Sequence, residues 1–115
     1  MTDLAQELVK KRCVPCEGGT PPLDRKTIDE LKKLLRGEWA LKADGKSIEA
    51  TFTFKNYYQT TAFVSAIAWM AHREDHHPDI SFGYNKCTVL YSTHAANGLT
   101  ENDFICAAKV DELLR

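Results

Sequence analysis

The chain of 115 residues carries 15 Lys and Arg against 16 Asp and Glu, a formal charge of −1, with 43% hydrophobic and 27% charged residues. This is the composition of one globular domain able to bury roughly two-thirds of its unfolded surface, which excludes disorder and dependence on disulfides. Near-neutral charge without a basic block argues against nucleic acid or an anionic membrane surface as a partner, since both draw on clustered Lys and Arg, and leaves a small, weakly charged ligand as the expectation.

Residues 1–22 read as an N-terminal arm and 23–115 as the domain. Within the arm, Leu4, Leu8 and Val9 predict a short helix, and MTDLAQELVKKR mixes acids and bases without the apolar centre of a secretory signal. The expected location is cytoplasmic, with the four cysteines as reduced thiols. In CVPCEGGTPPL, Gly18, Gly19, Pro21 and Pro22 forbid regular structure. Asp24 or Thr27 can then cap a helix over about 25–36, with Leu23, Ile28, Leu31, Leu34 and Leu35 on one stripe and Gly37 placed to end it.

From Trp39 to Phe54 the period changes to two: Trp39 and Leu41, a turn at Ala43-Asp44-Gly45-Lys46, then Ile48, Ala50, Phe52 and Phe54 in alternation with polar residues. Asp-Gly between alternating runs predicts a hairpin with one apolar face. Its cover is a helix over Tyr58–Glu74, where Ala62, Phe63, Ala66, Ile67, Met70 and Ala71 recur at helical spacing. The apolar run there, residues 62–71, is broken by Ser65 and is about half what a bilayer crossing needs. Pro78 requires the helix to end by about His76. A second strand pair follows, Ile80–Tyr84 and Cys87–Thr93, with a turn at Asn85-Lys86. Thr100 and Asp103 have the spacing of a capping box at the start of a last helix carrying Phe104, Ile105, Ala108 and Leu113. The order is helix, two strands, helix, two strands, helix.

The chemistry concentrates in His72-Arg73-Glu74-Asp75-His76-His77-Pro78-Asp79 and in His94, so that all four histidines fall within residues 72–94. Imidazole exchanges protons near neutral pH, and such a cluster points to acid–base work or metal ligation. A single histidine at a helix end is as well explained by its attraction to the dipole, a reading that weakens for three together. For zinc, His72 and His76 share a helix face and His94 could add a third ligand, but HREDH is neither HExxH nor HxxEH, and the metal signal is weak. Adjacent His76 and His77 diverge on extended chain, and Pro78 stiffens them around something larger than an ion. Cys13 and Cys16 form a CxxC in the arm, while Cys87 and Cys106 stand singly, so unpaired thiols are expected, with redox sensitivity or adventitious metal binding as the lesser possibility. Asp103 at the start of a helix is stabilising there whatever else it does.

These residues resemble the signature of the pterin-4a-carbinolamine dehydratases: His72, then His76-His77-Pro78, Tyr84, His94 and Asp103, with five, nine and eight residues between Pro78, Tyr84, His94 and Asp103. GEWAL, FTFKNY with AFV, GYNKCTV, YSTH and GLTENDF are similar to the family as well, over about residues 20–115, and the arm looks like that of bacterial members. The resemblance implies an α+β fold, a single four-stranded antiparallel sheet with three helices on one face. It also implies a hydro-lyase that removes water from 4a-hydroxytetrahydropterin to give quinonoid dihydropterin, recycling tetrahydrobiopterin for aromatic amino-acid hydroxylation. The catalytic set it implies is His76, His77, His94 and Asp103, with His76 and His94 moving protons, His77 orienting the pterin or sharing the acid role, and Asp103 an orienting carboxylate behind His94 or the pocket. Asp75, His76, His77, Ser92, Thr93, His94 and Ala95 would line the pterin. No metal or cofactor is implied, the pterin being the substrate. The implied partners are further copies, in a homodimer whose sheets join or in a homotetramer through residues 59–74, and an aromatic amino-acid hydroxylase as a candidate. Two other readings stay open: a binding or coactivator protein using that helix, and a zinc protein using His72, His76 and His94.

Overall fold

The computed structural model describes residues 4–15 and 18–115, so Cys16 lies outside the described residues. The elements run α1 (Leu4–Lys10), α2 (Arg25–Lys32), β1 (Ala40–Leu41), β2 (Ile48–Thr53), α3 (Tyr57–Glu74), β3 (Asp79–Phe82), β4 (Lys86–Tyr91), a 3-10 turn (His94–Ala96) and α4 (Glu101–Glu112). The four strands form one antiparallel sheet in the order β1-β2-β4-β3. This is the expected α+β architecture, with α1 as a fourth helix from the arm.

The two-residue period decides which face of the sheet is covered. Ile48, Ala50 and Phe52 of β2 stand opposite Tyr91, Val89 and Cys87 of β4, and all six are buried. Their neighbours Thr51 and Thr88 bond through their hydroxyls at 2.9 Å on the other face. The helices bring Leu8, Ile28, Phe63, Ile67, Phe104, Ile105 and Val110 onto the apolar face, in one contiguous core. Each side chain of this size stabilises the fold by about 1.5–3 kcal/mol when fully withdrawn from water. Leu113, expected on the inner stripe of the last helix, is instead exposed, and its neighbour Leu114 in the closing turn packs against the core in its place.

Local chemistry sets the boundaries. The Asp24 side chain accepts from the Thr27 N–H and starts α2. Asn56 caps α3 by accepting from Gln59 N, while Gln59 Oε1 accepts from Lys55 N. The β1–β2 turn has Gly45 at φ 71°, a conformation glycine adopts without steric cost. α2 stops at Lys32, short of Gly37, because tighter turns follow and the Arg36 N–H is taken by Asp111 Oδ2 on α4 at 2.9 Å. The other Asp111 oxygen accepts from the buried Trp39 indole at 2.8 Å. β4 ends at Tyr91 rather than Thr93, since Thr93 bridges to Gly98 across the 3-10 turn. Among the described residues, no helix is long and apolar enough to cross a membrane.

Candidate active site

Two sharp chain reversals carry the histidines. α3 ends with Asp75 in the left-handed region (φ 52°, ψ 40°), and the His76 N–H bonds back to the Ala71 carbonyl at 3.3 Å. Asn97, closing the 3-10 turn that His94 opens, is left-handed as well (φ 53°). Asp75 and Asn97 are the non-glycine residues with positive φ among those described. Asp and Asn tolerate this conformation better than other side chains, yet it still costs on the order of 1 kcal/mol, and such strain gathers at functional sites.

Between these reversals, where β3 begins and β4 ends, lies a pocket of about 280 Å³ lined by Asp75, His76, His77, Ser92, Thr93, His94 and Ala95. All seven residues expected to surround a ligand therefore share one cavity. Pro15, Asp79, Leu90 and Asn102 complete its wall. Asp79 and Leu90 are register partners in β3 and β4, on the face of the sheet turned away from the core. The volume is near the lower end of ligand pockets and suits a small, flat molecule.

Inside this site the most buried histidine is His76, whose side chain is only 13% exposed. Its ring stacks on Tyr91 (6.0 Å between centroids, 6° between planes), and its Nε2 lies 2.7 Å from Asp103 Oδ1. Asp103 is fully buried. Its Oδ2 accepts from Thr93 Oγ1 at 2.7 Å and from the Thr100 N–H at 3.0 Å, and the Thr93 and Thr100 hydroxyls are 2.9 Å apart. An ionised carboxylate only accepts, so it selects the tautomer with the proton on Nε2 and leaves Nδ1 as the second proton site of His76. One residue thus closes the capping box of α4 and orients a catalytic candidate. Of the two places open to it, Asp103 stands behind the pocket on His76, not behind His94, because the start of α4 docks against the end of α3.

His77 and His94 are exposed at the mouth of the pocket. His72 is outside it, exposed and 5.2 Å from the Trp69 ring, in a neighbouring hollow. Among the described residues no three His, Cys, Asp or Glu side chains gather closely enough to hold a metal ion, so the zinc triad of His72, His76 and His94 is not assembled. Tyr84, part of the sequence pattern, is exposed away from the pocket, and its carbonyl accepts from Thr60 Oγ1 at 3.0 Å. Burial pushes the Tyr91 phenol well up, reinforced by the nearby Cys106, Cys13 and Asp103, so the ring under His76 stays neutral.

Four contributions were missed in the sequence. Pro15 reaches the pocket because the arm is clasped to α4: Val14 N donates to Asn102 Oδ1 at 3.1 Å and Asn102 Nδ2 donates to Val14 O at 2.6 Å. Glu74 accepts from Cys13 N at 2.9 Å, and Lys109 donates to Val9 O at 2.6 Å. Asp79 and Asn102 lay inside marked segments, the histidine run and GLTENDF, but were given no role there, and Leu90 carried no motif of its own. The capping-box spacing did flag Thr100, but nothing local tied it to a histidine.

Residues 21–113 match the family described as pterin 4 alpha carbinolamine dehydratase. A relative from Nitrosospira multiformis, assigned by name as a pterin-4-alpha-carbinolamine dehydratase, is 56% identical over 115 residues, covering 100% of this chain and 99% of its own. The crystal structure of a transcriptional coactivator/pterin dehydratase from Brucella melitensis superposes with a TM-score of 0.76 at 29% identity, over 80% of this chain and 97% of that one. A pterin dehydratase-like protein identified as a RuBisCO assembly factor in the alpha-carboxysome gives 0.60 at 26% identity, over 68% and 90%.

Proposed function

The chain belongs to the pterin-4a-carbinolamine dehydratase family of hydro-lyases, and on that premise we propose that it eliminates water from a 4a-hydroxytetrahydropterin by histidine acid–base catalysis in the pocket of His76, His77 and His94. The reaction is redox-neutral. The C4a–O bond breaks as the hydroxyl takes a proton and leaves as water, while N5 loses its proton and supplies the electron pair that forms the N5=C4a bond of the quinonoid dihydropterin. Two proton-transfer groups suffice, and positioned ones contribute about 10²–10⁴-fold each. His76 and His94 fill those roles, His77 holds the pterin, and Asp103 positions His76.

The observation that carries this reading is the convergence of three histidines on one pocket of about 280 Å³, one of them fixed by a buried carboxylate. Ser92, Thr93 and Asp75 supply polar groups for the edge of a pterin. In the cell the substrate would come from aromatic amino-acid hydroxylation, and the product would return to tetrahydrobiopterin in the cytoplasm. The test is stopped-flow dehydration of freshly generated 4a-hydroxytetrahydropterin: the purified protein accelerates it over the spontaneous rate, with or without chelator. No acceleration by folded protein would defeat the reading.

A second role, assembly through α3, is favoured by its surface: Tyr58 is 81% and Trp69 64% exposed, with Ala62 also open to solvent. A homotetramer formed there predicts an oligomer by light scattering that Trp69→Glu reduces to a smaller species.

A further inference from the structure

The arm and the pocket meet at two thiols. Cys13 lies 93 positions before Cys106 in the chain, yet their sulfurs are 3.4 Å apart. Cys13 is half-buried, whereas Cys106 has no exposed surface. The pair is held from both sides. Cys13 N–H donates to Glu74 Oε1 and its thiol to Asn102 O, at 2.9 and 3.7 Å. Cys106 Sγ reaches the His76 carbonyl at 4.0 Å and sits one helical turn beyond Asp103. Two residues beyond Cys13, Pro15 forms part of the pocket wall.

We propose that Cys13 and Cys106 are an oxidative modification site, a dithiol that a peroxide converts into an intramolecular disulfide fastening the arm to α4 beneath the pocket. The Cys13 thiolate attacks one peroxide oxygen, breaking the O–O bond, to give a sulfenic acid and, with hydrogen peroxide, hydroxide. The Cys106 sulfur then attacks the sulfenic sulfur, the S–O bond breaks, and the oxygen leaves as water. In sum, two thiols and one hydrogen peroxide give one disulfide and two waters. The order follows from access, since an oxidant reaches the half-buried Cys13 first. The hydrogen bond with Cys13 and then burial push the Cys106 thiol strongly up, so it is not the sulfur that meets the peroxide, and it gives its proton to the departing oxygen as the sulfur–sulfur bond closes. Sulfur–sulfur bonding at about 2.05 Å asks the pair to close by about 1.4 Å from its 3.4 Å separation, within reach of a side-chain rotation. In a reducing cytoplasm such a bond is transient and works as a sensor.

Cys16 is the competing partner for Cys13, so the decisive protein is the full chain carrying Cys16→Ser. It is treated with stoichiometric hydrogen peroxide, alkylated, and digested with trypsin and chymotrypsin, which cut after Tyr91 and Phe104 and so separate Cys87 from Cys106. The expected result is a Cys13–Cys106 linked peptide, a protein mass lower by about 2 Da, and a Tm raised by at least about 5 °C that dithiothreitol reverses, as closing so long a loop requires. Cys13→Ala, altering the less buried position, abolishes all three. The inference is overturned if Cys13 ends as a sulfinic acid or in a bond between chains, or if the linked peptide is absent while both thiols remain alkylatable. No outcome depends on turnover, so a negative result here leaves the dehydratase reading intact.

Discussion

Replacing Asp103 by Asn separates what this carboxylate does for the fold from what it does for His76. Asp103 accepts three hydrogen bonds, and the Thr100 N–H among them cannot reverse its direction. An amide at this position therefore keeps its oxygen toward Thr93 and Thr100 and turns its NH₂ toward His76. The imidazole must then accept at Nε2, which moves the proton to Nδ1, the nitrogen the chemistry needs as a proton site. Shape and capping survive, so stability falls only by about 1 kcal/mol, or roughly 4 °C in Tm. The kcat of dehydration, by contrast, falls about 10²–10³-fold, the share of a positioned acid–base group, with KM little changed because Asp103 does not line the pocket. Stopped-flow rates on freshly made substrate give the first quantity, and ¹⁵N shifts of the His76 ring report the tautomer directly. A variant that shows the exchanged tautomer but keeps kcat within about threefold of wild type refutes the reasoning.

Other consequences follow from separate contacts. Asp111→Ala strands the buried Trp39 indole N–H and the Arg36 N–H, and should cost about 2–3 kcal/mol in urea unfolding; a loss below about half a kcal/mol would show these bonds to be dispensable. Thr27 hydrogen bonds hold the Asp24 carboxyl below its ordinary 3.8. The capping contribution of Asp24 is thus complete above that value and lost as pH falls through the lowered one. An asparagine amide caps at every pH, so in Asp24→Asn the Tm should decline less than in wild type from about pH 5 downward, whereas parallel Tm curves would contradict the capping role. Ser92→Trp, filling the pocket from its rim, should weaken binding of a stable dihydropterin in calorimetry by about tenfold or more while leaving Tm within a few degrees; unchanged affinity would place the ligand elsewhere.

Much of this site was legible because its signals are local. Asp44-Gly45 between alternating runs marks the hairpin, Thr100 and Asp103 mark the start of α4, and Pro78 ends the helix that delivers His76 and His77. The period of two also turned Ile48, Ala50 and Phe52 inward, whereas Cys87–Thr93 was marked only by its β-forming residues and its inward side chains follow from pairing with β2. What escaped depends on how distant segments dock. The bond from His76 to Asp103 spans 27 positions and exists because α4 starts beside the end of α3. Pro15 reaches the pocket only through the clasp between Val14 and Asn102, 88 positions apart, and the approach of Cys13 to Cys106 follows from the same docking. No spacing rule encodes such contacts. The early end of α2 has the same origin, since the Arg36 N–H is claimed by Asp111 on a helix 75 positions later.

The proposed chemistry requires the histidines of this pocket to move the protons of the dehydration. It is tested most directly by the rate constant for loss of water from freshly generated 4a-hydroxytetrahydropterin with His76→Ala and His94→Ala, each verified as folded. Each substitution is expected to lower kcat about 10²-fold or more, with the double variant near the spontaneous rate. Wild-type rates in both single variants would contradict it.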